Sequence, residues 1–86
     1  MSYYDIVNAI NSKIGGTSYS SWTIGVTDYP HIRREEHENN GEDVTSWTHY
    51  STDSENDGRK VEKHFIDLGM KGGTGGGGNA EYVYVF

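Results

Sequence analysis

"SWTIGVTDYPHIRREEH", Ser21–His37, changes from strand chemistry to helix chemistry within one short stretch. Trp22–Val26 is rich in β-branched and aromatic residues and is expected as a strand. Thr27 and Asp28 are residues that can cap a helix, and Pro30 falls in its first turn, where no amide donor is needed. The predicted helix runs to about Asn39 and stops at Gly41. Its apolar content is essentially Tyr29 and Ile32, too little for a core-facing stripe. A helix that is polar all round either faces water or turns its polar groups into a site. Arg33 and His37 share one face, where a cation beside an imidazole can bind a phosphate or position a water. A solvated charged face accounts for the same periodicity.

On the N-terminal side, "MSYYDIVNAINSKIGG" reads as an amphipathic helix, with Ser2 and Asp5 as a capping box and Ile6, Ile10 and Ile14 on one side. Gly15 and Gly16 stop it. On the C-terminal side, Thr45–Ser51 alternates and predicts a second strand. "RKVEKHFIDLG" predicts a third helix with Val61, Phe65 and Leu68 on one stripe. "MKGGTGGGGN", Met70–Asn79, reads as a flexible connection without packing of its own. Ala80–Phe86 closes the chain as a strand, with Tyr82, Tyr84 and Phe86 on one face and Val83 and Val85 on the other. Both faces are apolar or aromatic, so this strand is expected to be central or covered on both sides. The order is α-β-α-β-α-β. It predicts an α/β fold: a small three-stranded mixed or antiparallel sheet with helices packed on it, in a single domain over residues 1–86.

The chain has 86 residues, so a second core would be too small to hold itself together. Only 33% of residues are hydrophobic, but two tryptophans, expected in the strands and the core, and seven tyrosines add aromatic area. Absence of cysteine excludes disulfides, thiolate metal sites and a cysteine nucleophile. No apolar run reaches the ~20 residues that span a membrane, and no secretory signal pattern opens the chain. A cytoplasmic protein without membrane attachment is the expectation. The formal net charge of −6 disfavours nonspecific attraction to nucleic acid, leaving Arg33–Arg34 and Arg59, Lys60 and Lys63 as the candidate basic patches.

Three patterns carry less than they suggest. The glycines follow a helix and precede a strand, the reverse of a phosphate-binding P-loop. "DSENDG", Asp53–Gly58, copies the start of a calcium loop, but its twelfth position is His64 rather than a glutamate. It reads as a solvated acidic loop that caps the third helix. The four histidines lack paired zinc spacing.

Taken together, "TIGVTDYPHIRREEH", "KVEKHFIDLGMKGG" and an asparagine before the last strand resemble the GIY-YIG nuclease family. That family has a short β-hairpin whose second strand carries Tyr-Ile-Gly, then a helix with an essential arginine and a His or Tyr one turn later. A metal-binding glutamate lies on a later helix, and an asparagine comes near the end. Thr23-Ile24-Gly25 occupies the Tyr-Ile-Gly position, Arg33 and His37 fall at the family's offsets, Glu62 matches the glutamate, and Asn79 is the candidate asparagine. The resemblance covers about Trp22 to Asn79. It implies a GIY-YIG-like core and a metal-dependent phosphodiesterase acting on DNA or RNA, with Mg²⁺ or Mn²⁺ held by Glu62. The alternative is a catalytically inactive binding or interaction module on the same fold.

Two departures shape the remaining expectation. Thr23 stands in place of the tyrosine, and the preceding segment is a helix rather than a Gly-Ile-Tyr strand. "EYVYVF" has the character of that missing strand. A rearranged, circularly permuted core would pair it beside Trp22–Val26 and let Tyr82 or Tyr84 supply the absent hydroxyl. The long glycine connection permits this, since loop closure costs grow slowly with length. Tyr19 competes for the same role, but in a continuous strand it lies ~13 Å from Thr23.

Overall fold

Val83 and Val85 point to one side of the last strand, Tyr84 and Phe86 to the other, and each side organises its own cluster. The computed structural model describes residues 1–72 and 78–86. Helix α1 spans Tyr3–Ile14, β1 Thr23–Thr27, α2 Pro30–Asn39, β2 Thr48–Ser51, α3 Glu55–Asp67, β3 Lys71–Gly72 and β4 Tyr82–Val85. A short 3-10 turn, Tyr19–Ser21, leads into β1. The sheet order is β2-β4-β1-β3. Strand β4 is antiparallel to both neighbours, whereas β3 runs parallel to β1.

On one face Ile24, Val26, Val83 and Val85 pack with Ile6, Ile10 and Ile14 of α1 and Val61 and Phe65 of α3. On the other, Tyr84 and Phe86 pack with Val44 and Trp47, and His37 of α2 lies against both rings. Each fully buried aliphatic side chain contributes roughly 1.5–3 kcal/mol, so the isoleucine stripe of α1 is enough to hold that helix on the sheet. Its start is fixed by the expected capping box: the Asp5 amide donates to Ser2 Oγ and the Ser2 amide to Asp5 Oδ2, both at 3.2 Å.

The chain is α/β, but the sheet has four strands rather than three. Lys71–Gly72 leaves the expected loop to pair with Thr23 and Ile24. Met70, just before it, is buried in the core, so this part of the segment does pack. Leu68, expected on the core stripe, is exposed because α3 ends at Asp67 and Met70 takes the inward place. The rest of the glycine connection, 73–77, lies outside the described residues.

Other boundaries shift for local reasons. The second strand begins at Thr48 because Asp43 Oδ1 accepts from the Thr45 amide and hydroxyl, and the Trp47 amide donates to Val44 O, making a turn where alternation had suggested a strand. Neither tryptophan lies within a strand. Helix α3 begins at Glu55, since Ser54 Oγ accepts from the Asp57 amide. Four of the six residues of the acidic "loop", Glu55 to Gly58, are therefore its first turn, which removes the calcium-loop geometry. Pro30 starts α2 as expected, yet Thr27 and Asp28 do not cap it. Thr27 Oγ1 accepts from the Tyr29 amide at 3.0 Å, while Asp28 turns toward the start of β4.

Strand β4 lies beside β1, with Gly25 opposite Tyr84. The Tyr84 ring lies over Gly25: a Cβ there would sit 2.8 Å from Tyr84 Cε2 and closer still to Cζ and Oη. Gly25→Ala is therefore expected to lower stability by about 1–3 kcal/mol, the usual cost of overpacking, in urea unfolding. Unchanged stability would show that the ring is free to move off β1.

Candidate functional site

Gly25 gives Tyr84 a path across β1, and this path determines where the hydroxyl ends. Tyr84 is 0% exposed. Its Oη lies 3.0 Å from His37 Nε2, and His37 Nδ1 is in contact with Glu42 Oε2. The Trp47 indole stacks on the Tyr84 ring, centroids 4.5 Å apart and planes 10° from parallel. Phe86 lies 4.9 Å from the His37 ring.

The charges around this hydroxyl come from three elements. Burial pushes the Tyr84 phenol up to about 12; the Arg33 charge opposes this, and Glu62, Glu42 and Glu36 reinforce it. Arg33 and Glu36 belong to α2, Glu42 follows it, and Glu62 belongs to α3. Of the expected site residues, His37 touches the Tyr84 hydroxyl, while Arg33 and Glu62, from α2 and α3, act on it through their charge. Arg33 Nη1 donates to Glu36 Oε2 at 2.9 Å. Glu62 is half-buried, and burial raises its carboxyl pKa while Arg59 partly lowers it. A desolvated carboxylate of this kind gains from a nearby cation.

Asn79 is placed differently. It is exposed, and its backbone amide donates to Asp28 Oδ2 at 2.9 Å. The Glu81 amide donates to Asp28 Oδ1 at 3.1 Å, and Arg59 Nη2 donates to Gly78 O at 3.3 Å. Gly78 has φ +74, and a Cβ there would collide with the Asp28 carboxylate. Asp28 therefore clamps the chain as it returns from the glycine connection into β4, and so sets where Tyr84 enters the sheet.

Three residues of this arrangement escaped sequence reasoning. Asp28 read as a helix cap, because cap and clamp use the same acceptor chemistry. Trp47 read as a strand residue. Glu42 carried no signal except its place just after the Gly41 stop, from which its amide donates to His37 O at 3.1 Å. A second cluster lies at the N-terminal end of α2, where the His31 and His49 rings meet edge to face at 5.5 Å and Trp47 Nε1 donates to His49 Nδ1 at 3.1 Å. Burial and the neighbouring His31 lower the His49 pKa.

Among the described residues no group of three or more His, Asp or Glu is placed to hold a metal ion by itself. No described helix is long and apolar enough to cross a membrane. No protein-family model, curated protein or solved structure matches the chain.

The backbone donors from Asn79 and Glu81 hold the Asp28 carboxyl below its ordinary value of 3.8. Its stabilising contribution is thus complete above that pH and is lost as the pH falls through the lower, folded value. Asp28→Asn is expected to lower the urea midpoint at neutral pH and to flatten the fall of stability below pH 3.8. An acid limb identical to that of the parent chain would remove Asp28 from this role.

Proposed function

We propose that the chain is a metal-dependent phosphodiesterase acting on DNA or RNA, built on a rearranged GIY-YIG-like core. The observation that carries this is the position of Tyr84, brought by β4 to β1 at Gly25 and hydrogen-bonded to His37 at 3.0 Å. A hydroxyl lost from the Thr23 position is thereby supplied from the other end of the sequence.

Glu62 fits the part of a sole protein carboxylate, with waters and phosphate oxygens as the other ligands of Mg²⁺ or Mn²⁺. Such an ion, when bound, polarises the scissile phosphate and neutralises charge on the leaving oxygen. Arg33 provides the second positive charge. Its side chain is 18% exposed and its partner Glu36 is 52% exposed. The Glu36 end of this pair is open to solvent, so a phosphate offering paired oxygens can compete with Glu36 for the guanidinium. Tyr84 cannot serve as a preformed phenolate, because burial pushes its phenol up to about 12 and keeps it protonated near neutral pH. Any proton it takes from water must be matched by one it gives to His37.

A second function, nucleic-acid binding without cleavage, draws support from the 0% exposure of Tyr84 and from Thr23 at the tyrosine position. Cleavage requires the side chains over the hydroxyl to turn toward the substrate; binding alone does not.

The deciding experiment incubates single-stranded and duplex DNA and RNA with the chain in Mg²⁺ or Mn²⁺. Cleavage is expected with the parent protein, reduced about 10²–10³-fold in Arg33→Ala, as for loss of one charge-stabilising donor, and abolished in Glu62→Gln. Binding without cleavage by the parent protein would establish the second function. Cleavage untouched by both substitutions would place the chemistry elsewhere.

A further inference from the structure

We infer that Glu42 is a positioning residue that holds His37 as its Nδ1–H tautomer and so makes Nε2 the acceptor for the Tyr84 hydroxyl, joining the three side chains into one proton relay. This role rests on the phosphodiesterase function proposed above.

His37 is 5% exposed, so water is not available to satisfy its ring nitrogens and its neighbours decide the tautomer. Nδ1 faces the Glu42 carboxylate, which can only accept. In a neutral ring the proton then sits on Nδ1 and Nε2 is left as the acceptor, with Tyr84 Oη 3.0 Å away. The reverse tautomer would set a nitrogen lone pair against a carboxylate in a half-enclosed place.

The backbone supports this assignment. Glu42 is tied to His37 twice, by its side chain and by its amide, which donates to the His37 carbonyl at 3.1 Å. Gly41, with φ +86, makes the reversal that brings Glu42 back to the helix end. Beyond it, the Asp43–Thr45 hydrogen bond begins the turn that delivers Trp47 onto the Tyr84 ring. The imidazole is therefore held by a carboxylate at one end, a hydroxyl at the other, and Trp47 and Phe86 at its sides.

In the reaction, once the side chains over the Tyr84 hydroxyl have turned toward the substrate, an attacking water forms a bond to phosphorus as the bond to the leaving oxygen breaks. The water proton passes to Tyr84 Oη while the Tyr84 proton passes to His37 Nε2. The resulting imidazolium lies against the Glu42 carboxylate, whose charge favours it. The leaving oxygen takes a proton from solvent, and His37 later returns its extra proton to solvent. Tyr84 ends as it began.

Long-range ¹H–¹⁵N NMR of the histidine rings, with single-turnover cleavage on the same samples, tests this. The parent chain is expected to show His37 protonated at Nδ1 and bare at Nε2. Glu42→Gln can still accept from Nδ1–H through its amide oxygen, but loses at least ~10-fold of the general-base share of the cleavage rate with substrate affinity unchanged, because the imidazolium loses its countercharge. Glu42→Ala shifts the ring toward Nε2–H and loses about 10²–10⁴-fold, the usual share of a general base. Retained dispersion of the Trp47 signals in the Gln variant shows that the fold persists. A parent His37 protonated at Nε2, an unshifted tautomer in Glu42→Ala, or full cleavage rate in a folded Glu42→Gln overturns the inference while leaving the phosphodiesterase function intact. If the parent chain cleaves nothing, that function fails, and the tautomer in Glu42→Ala still decides whether Glu42 sets His37.

Discussion

Everything distinctive in this molecule depends on a tyrosine ring crossing a glycine. With any side chain at Gly25, Tyr84 could not lie flat across β1, and its hydroxyl would not reach His37. The antiparallel register that sets Gly25 opposite Tyr84 also sets Ile24 opposite Val85 and Val26 opposite Val83. The apolar face and the polar site are therefore fixed by the same pairing. A slip by one residue would put Val83 and Val85 against α2 and the tyrosines among the isoleucines of α1, so register is strongly specified.

The polar site also explains why α2 carries so little apolar surface. Its inward face is Pro30 and His37, the only buried residues of the helix. The helix is anchored through rings and hydrogen bonds rather than through an aliphatic stripe. Such an anchor supplies less burial energy than the α1 stripe, but it is directional. Unpairing one end would leave a buried imidazole unsatisfied at a cost of about 1–3 kcal/mol. The charges nearby make a mixed set, one arginine among three glutamates, in which the hydroxyl stays neutral.

Much of this was legible in the residues. The α1 cap, Pro30 at the start of α2, the two-faced last strand and its place beside β1 follow from local chemistry and the need to pair a strand edge. Arg33 and His37 stood out because their helix had no packing reason to exist. What could not be read was long-range. A two-residue strand such as Lys71–Gly72 has no periodicity, and only the exposed edge of β1 gives it a reason to form. Asp28 and Thr45 sit where either of two local hydrogen-bond patterns would serve, and contacts with residues far along the chain decide between them. Glu42 becomes meaningful only once Gly41 has turned the chain back onto His37.

The central place of β4 has a further consequence, for the order in which the molecule can be assembled. Residues 82–85 bridge β1 and β2, which do not touch each other in the sheet. Until this segment is available, β1 and β2 lack their shared partner, and α1 and α3 have no finished sheet to cover. During synthesis the nascent chain can form helices, but the centre of its sheet must wait for β4 to leave the ribosome. The contacts that then close are among the most distant in sequence, which slows folding relative to a helical bundle of equal length. Any chain cut short before Tyr82 keeps most of its residues yet loses the centre of its fold, and would present two bare strand edges to other chains.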